Sequence, residues 1–86
     1  VETPVHINAA GIHPVHVGNL PEPIAELCRR ELMVAQLCVD AAVEGSYEKA
    51  LQCLLLDPII HDMDAAKNIL DDYLKTYKEH LPQFWK

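Results

Sequence analysis

One helix constrains what this sequence can fold into more than any other feature. Its apolar residues first recur at steps of three and four, and further apolar residues then cover most of the remaining circumference. The first set is Ile24, Leu27, Cys28, Val34, Ala35, Cys38, Ala41 and Ala42, and the second is Leu32, Met33, Leu37, Val39 and Val43. A helix that is apolar on most sides is buried on most sides. Two further helices barely suffice to cover it, so the sequence predicts a neighbour that this chain of 86 residues does not contain.

Capping signals predict three helices. The long helix spans residues 21–45, with prolines in its first turn and Gly45 as its stop. A second helix spans 46–57, from the N-cap Ser46 to Asp57-Pro58. A third, amphipathic helix spans 62–81 and ends at Pro82.

Residues 1–20 have the character of two strands and a loop. Apolar and polar residues alternate over 1–8, a turn signal follows at 8–11, and residues 12–17 are again extended. A two-stranded ribbon is marginally stable by itself, so this one either packs on the helices or completes a sheet found elsewhere. The predicted fold is mainly α with a short β-hairpin or strand pair, an α+β fragment.

Composition excludes two kinds of partner. The chain has 13 acidic and 7 basic residues and a formal charge of −6, which repels phosphate backbones, so we expect no nucleic acid. Its uncharged runs are too short to span a membrane. The three cysteines, an odd number without CxxC spacing, indicate free buried thiols in a reducing, cytoplasmic compartment. A first residue that is not methionine indicates a piece of something larger.

Histidines are the most suggestive chemical groups. His6 and His13 can approach each other in a hairpin, and with His16 they contain the three imidazoles of a known type of zinc site. However, their spacing matches no compact metal motif, and His13 and His16 fall on opposite sides of an ideal strand. A polar strand face, or the lining of a cavity completed elsewhere, is the preferred interpretation. No phosphate loop, GxSxG or HExxH occurs, and we assign no catalytic, cofactor-binding or metal-binding residue.

Five short motifs in register resemble the C-terminal end of glycoside hydrolase family 4. They are Val1-Glu2-Thr3-Pro4-Val5, Gly11-Ile12-His13-Pro14-Val15-His16-Val17-Gly18-Asn19-Leu20-Pro21, Ala25-Glu26-Leu27, Ala41-Ala42-Val43-Glu44-Gly45 and Leu56-Asp57-Pro58. The resemblance implies that residues 1–86 are the C-terminal segment of a substrate and oligomerisation domain like that of lactate and malate dehydrogenases. The second motif is more similar to the motif of the α-glucosidase, α-galactosidase and α-galacturonidase branch than to that of the 6-phospho-glycosidase branch.

The resemblance also implies a chemistry for the parent enzyme. Such enzymes use NAD and a divalent metal, usually Mn²⁺, and hydrolyse glycosides by oxidation, elimination, addition and reduction. The residues that bind these groups lie upstream of this segment, which is then inactive alone. Its partners would be the rest of the parent chain, further subunits of a dimer or tetramer, and a carbohydrate substrate.

Few residues carry over from the family. A structural role is implied for five motif positions, namely Gly11, Pro14, Gly18, Leu20 and Pro21. If any residue reaches the substrate cleft, the loop from Asn8 to His13 is the best candidate, with Asn8 and His13 themselves lining it. The competing hypothesis is a freestanding helical module that buries its apolar excess in a homodimer.

Overall fold

The computed structural model of the chain describes residues 2–86 and contains a β-ribbon followed by three helices. The strands are β1 (Val5–Asn8) and β2 (Gly11–Pro14), and the helices are α1 (Glu22–Glu44), α2 (Tyr47–Leu56) and α3 (Met63–Thr76). Two short 3₁₀-helices, Lys78–His80 and Pro82–Trp85, complete the described chain. This confirms the predicted mainly helical fold with one strand pair. Val1, the first residue of the predicted strand, lies outside the described residues.

The ribbon has one apolar and one polar face. Residues directly opposite each other in an antiparallel pair share a face, and the register pairs Ile7 with Ile12 and Val5 with Pro14. The alternate positions pair His6 with His13 and Asn8 with Gly11. Both observed strands are shorter than the predicted ones over 1–8 and 12–17, because residues 2–4 and 15–17 lie outside β1 and β2. Val15 N–H still bonds to Pro4 O at 2.9 Å, but Pro4 has no N–H with which to continue the ladder.

Helix α1 packs against the rest of the chain along one side. On this side Val34 and Leu37 are half-buried and Ala41 is buried, and Cys53 of α2 donates to the Val34 carbonyl. The opposite side is exposed and carries an apolar stripe, which is Leu32, Ala35, Val39 and Val43. We call this set the α1 stripe. Its spacing of three and four residues matches a helix that packs on a second partner.

The helices form a small body around the side chains of α3. Ala66, Leu70 and Leu74 are buried on one face of α3, and Ala41 of α1 is the fourth core residue. Hydrogen bonds tie the helix ends together. Arg30 Nε donates to the Leu56 carbonyl at 2.8 Å, which satisfies a free acceptor in the last turn of α2. Ser46 and Asp62 cap the N-termini of α2 and α3, and the cap at Ser46 confirms the prediction.

The third helix ends earlier than the predicted 62–81, at Thr76. The chain turns at Tyr77 and continues in 3₁₀ geometry, with His80 N–H bonded to the Tyr77 carbonyl and Phe84 N–H to the Leu81 carbonyl. This turn brings Leu81 and Phe84 back against the helices, where they line an apolar cavity. A continuous helix would carry Leu81 beyond that cavity, so the tertiary contact overrides the local periodicity.

The C-terminal turn is locked against the end of α1. Gly45 closes α1 with φ 66°, and a Cβ at this position would overlap the Gln83 backbone carbonyl. The side chain of Gln83 in turn donates from Nε2 to the Ala42 carbonyl at 2.8 Å. Glycine is therefore required at position 45 both by the left-handed backbone and by the lack of space.

The ribbon extends away from the helical body. The main contacts between elements join α1 to α2, α2 to α3 and α1 to the last 3₁₀-helix, while the ribbon's main contacts lie between its own strands. The radius of gyration is 17.6 Å, against about 12 Å for a compact domain of this length. Of the two alternatives that the sequence left open, packing of the ribbon on the helices is therefore wrong.

Candidate functional site

The polar face of the ribbon brings together the two residues that the sequence singles out. Asn8 Oδ1 accepts a hydrogen bond from Ala10 N–H at 2.9 Å and one from His13 Nε2 at 3.1 Å. The backbone donor fixes the orientation of the amide, and an amide oxygen only accepts, so His13 donates its Nε2 proton. His6 lies opposite His13. We call Asn8, His13 and His6 the ribbon-tip cluster.

The ribbon-tip cluster keeps free hydrogen-bonding groups. No hydrogen bond within residues 2–86 uses the Asn8 amide nitrogen, and the Nδ1 atom of His13 accepts none of their donors. With His13 neutral and protonated at Nε2, Nδ1 is an acceptor, and the Asn8 amide offers donors. All three side chains are exposed. The cluster can therefore donate to and accept from a polar ligand such as a sugar hydroxyl.

Two glycines of the second motif have positive φ angles, Gly11 beside the cluster and Gly18 in the linker to α1. Gly11 follows the Ala9-Ala10 turn with φ 123°, and Gly18 has φ 85°. Both values lie where L side chains are strained. Of the remaining motif positions, Pro14 ends β2, Leu20 is partly exposed, and Pro21 is the N-cap residue of α1 with φ −54°.

The third histidine of the sequence pattern does not join the other two. His16 follows β2 by two residues, outside the ribbon register. Among residues 2–86, no three His, Cys, Asp or Glu side chains are grouped so that they could hold a metal ion. His61 and His80 lie outside the three α-helices, in the loop before α3 and the 3₁₀ turn after it.

Two basic residues outside the cluster form ion pairs with acidic neighbours. Arg29 contacts Glu26 at 2.8 Å and Glu22 at 3.3 Å, and the bond to Glu22 is the main reason why its pKa is raised. Lys49 contacts Glu44 at 2.7 Å, and this bond raises the Lys49 pKa. These pairs are exposed and lie on helix surfaces, which is typical of structural ion pairs rather than of a binding site.

The helices and the C-terminal turn line an apolar cavity that is open to solvent. Its volume is about 250 Å³ and its lining is almost wholly apolar. The residues come from α1, α2, α3 and the C-terminal turn, and they are Cys38, Ala41, Ala42, Ala50, Cys53, Leu54, Leu70, Tyr73, Leu74, Leu81 and Phe84. The cavity provides no polar group that could orient a substrate.

Two thiols meet at this cavity, and sequence reasoning missed their proximity. Cys38 of α1 and Cys53 of α2 both line it, and Cys53 Sγ donates to the Val34 carbonyl at 3.3 Å. Burial, followed by the nearby Cys38 thiol, raises the Cys53 pKa. The prediction of buried thiols is wrong in part, because all three cysteines are free but Cys38 is exposed and the other two are half-buried. Cys53 lies fifteen positions after Cys38 in the sequence, and only helix packing brings the two together.

Comparison with known families identifies the segment's relatives. Residues 1–60 match the family model described as the family 4 glycosyl hydrolase C-terminal domain. A phospho-alpha-glucosidase, PagL of Clostridium acetobutylicum, is 37% identical over 91% of this chain and 18% of its own length. A probable 6-phospho-beta-glucosidase of Bacillus subtilis is 33% identical over 99% of this chain and 19% of its own length.

A relative of another specificity is more distant. An alpha-galacturonidase of Lachnoclostridium phytofermentans is 24% identical over 99% of this chain and 19% of its own length. The chain thus spans about a fifth of the length of the curated relatives it matches. Within residues 2–86, no helix combines the length and apolar character needed to cross a membrane.

Proposed function

This chain belongs to glycosyl hydrolase family 4, and we propose that it serves as the C-terminal segment of a cytoplasmic glycosidase that hydrolyses O-glycosidic bonds. The observation that carries this proposal is the breadth of the match, since relatives named as glucosidases align with 91 to 99% of the chain. The three free thiols support the reducing, cytoplasmic location.

The segment's role in the parent enzyme is to support and complete a domain. Its α1 stripe and the apolar face of the ribbon are both exposed, with Ile7 69% and Ile12 68% accessible. Apolar surface of this extent is typical of a surface that binds a partner. We assign the remainder of the parent chain to these two faces. The relatives' greater length supports this occupant over the freestanding homodimeric module. Further subunits of a dimer or tetramer remain part of the proposal for the whole enzyme.

The chain's own residues do not fit the cofactors that the family resemblance implies. Residues 2–86 hold no grouping of three metal-binding side chains, and the sequence has no glycine-rich phosphate loop. We therefore place the binding of NAD and Mn²⁺ in the remainder of the parent chain. No chemical step is assigned to residues of this segment.

The identities favour a phosphorylated substrate. The two relatives named for phosphorylated glucosides are 33 and 37% identical, while the alpha-galacturonidase is 24% identical. We propose a 6-phosphoglucoside as the parent's substrate, in place of the unphosphorylated branch that the second motif suggests. The ordering of these identities supports this choice.

The full-length protein tests the function directly. It is assayed with NAD and Mn²⁺ against glucosides with and without a 6-phosphate. We expect hydrolysis that requires both cofactors and is faster on the phosphorylated glucoside. Faster hydrolysis of the unphosphorylated compound would overturn the substrate choice, and no glycosidase activity on either would overturn the function.

The ribbon-tip cluster is the part of the segment that we assign to the substrate cleft. Asn8 and His13 are exposed, hydrogen-bonded to each other and still able to bond a sugar hydroxyl. Replacing His13 with alanine in the full-length enzyme should lower kcat/KM about five-fold, the effect of about 1 kcal/mol for one hydrogen bond. His16→Ala, which removes an exposed histidine outside the cluster, is the matched control. Unchanged kcat and KM in His13→Ala would remove this assignment.

A further inference from the structure

The junction of α1 and α2 holds two thiols that share one apolar cavity. Cys38 and Cys53 both line it, and Cys53 Sγ lies 3.3 Å from the Val34 carbonyl oxygen. In an α-helix that carbonyl accepts the N–H of the residue four positions later, which is Cys38. Cys53 Sγ therefore lies within roughly 6 Å of the Cys38 backbone nitrogen, since the helical bond adds about 2.9 Å.

The direction of the Cys38 side chain favours contact. Side chains on a helix tilt toward its N-terminus and cover the preceding turn, which for Cys38 is the turn of Val34. That is the turn on which Cys53 Sγ rests. Small neighbours, Ala41, Ala42 and Ala50, line the same cavity and leave room for the two sulfurs to approach.

We propose that Cys38 and Cys53 are an oxidation site, and that a low-molecular-weight disulfide converts them into a disulfide bond between α1 and α2. Cys28 is not part of this site. It lies ten residues before Cys38 on the same helix, a rise of about 15 Å.

The exchange proceeds in two balanced steps. The Cys38 thiolate attacks one sulfur of the reagent disulfide, forms a mixed disulfide and releases one thiolate. The Cys53 thiolate then attacks the Cys38 sulfur, forms the protein disulfide and releases the second thiolate. Two protein thiols are oxidised, one reagent disulfide is reduced to two thiols, and the protein's two protons end on the released thiolates.

The order of the steps follows from exposure. Cys38 is exposed and Cys53 is half-buried. Burial also raises the Cys53 pKa, which lowers its thiolate fraction in solution. Cys38 is therefore the entry point and Cys53 the resolving thiol.

The test uses the full-length protein and oxidised glutathione as the probe. After incubation, free thiols are alkylated and the digested protein is analysed by mass spectrometry. We expect one peptide linked through Cys38 and Cys53 and lacking two hydrogens, with Cys28 alkylated. The proposal would be overturned if Cys38 and Cys53 of the wild-type protein stayed unlinked and were both alkylated, or if Cys28 took part in the link.

Single substitutions test the order of the steps. Cys53→Ser should accumulate glutathione on Cys38, because no resolving thiol remains. Cys38→Ser should leave Cys53 largely unmodified on the same timescale. Equal or faster modification of Cys53 in Cys38→Ser would contradict Cys38 as the entry point, and Cys28→Ser, which keeps the pair, should form the link at the wild-type rate.

Discussion

The helical body and the β-ribbon obey the same sequence rules but reach different degrees of burial. In the body, the apolar faces of the amphipathic helices pack together and bury a core, which is Ala41, Ala66, Leu70 and Leu74. In the ribbon, alternation produces an equally clear apolar face, yet its side chains are mostly accessible. The sequence pattern determines which side of a helix or strand is apolar. That side stabilises the fold only when it packs against another element. Within residues 2–86, no element covers the apolar face of the ribbon.

The largest difference between the two regions should appear when an aliphatic side chain is truncated in each. Leu70 is 6% accessible and Ile12 is 68% accessible. Leu70→Ala should lower the free energy of unfolding of the chain by about 2 to 4 kcal/mol. Ile12→Ala should lower it by less than about 1 kcal/mol. Urea denaturation followed by circular dichroism measures both, and equal losses would contradict the contrast between body and ribbon.

Two glycines, one in the helical body and one outside it, allow the same comparison to be made for the backbone. Gly45 and Gly18 both have positive φ, but only at Gly45 would a Cβ meet other atoms. Gly45→Ala should cost about 2 to 3 kcal/mol, from overpacking against the Gln83 carbonyl in addition to backbone strain. Gly18→Ala, in the linker between ribbon and body, should cost about 1 kcal/mol from strain alone. If both variants unfold at the same urea concentration, the C-terminal turn does not pack on Gly45 as described.

The smallest expected effect concerns the junction of α2 and α3 within the body. Tyr47 donates to Asp71 Oδ1 at 2.8 Å, and this bond raises the Tyr47 pKa above its ordinary 10.0. The hydrogen bond that raises this pKa stabilises the folded chain fully at pH values below the pKa of the unfolded state. This stabilisation is lost as the pH rises through the pKa of the folded state. The stability difference between wild type and Tyr47→Phe should therefore shrink when the pH is raised above 10.

A second tyrosine controls for alkaline effects on the whole chain. Tyr73 stacks on Tyr77 with ring centroids 5.8 Å apart, and its hydroxyl makes no side-chain hydrogen bond within residues 2–86. The difference in free energy of unfolding between wild type and Tyr73→Phe should not shrink comparably when the pH is raised above 10. Thermal unfolding at neutral and alkaline pH compares the three proteins, and a constant Tyr47→Phe difference across pH would contradict the Asp71 bond.

The sequence predicts most of the elements because their signals are local. Pro21, Pro23, Gly45 and Ser46 mark helix ends that the structure places within one residue of the prediction. The uncovered side of α1 also follows from the sequence, since apolar residues on most of a circumference exceed what two helices can cover. The pairing of His6 with His13 follows from the turn between them.

Features that depend on packing between distant segments could not be predicted. The turn at Tyr77 forms because Leu81 and Phe84 fit against the helices, and no local signal announces it. The proximity of Cys38 and Cys53 depends on the rotation of α2 about its axis relative to α1. The second hydrogen bond of Asn8, to His13, is a local contact within the ribbon, and it requires side-chain orientations that the sequence pattern does not specify.

The central claim is that the exposed apolar faces of this segment are covered by the rest of a family 4 enzyme. Hydrogen–deuterium exchange tests it most directly. It is measured for the backbone segments that contain Ile7, Ile12, Val39 and Val43, in the isolated chain and in the full-length protein. We expect the ribbon segments to exchange rapidly in the isolated chain and to become strongly protected in the full-length protein, with added protection along the α1 stripe. Ribbon amides that exchange equally fast in both would contradict it.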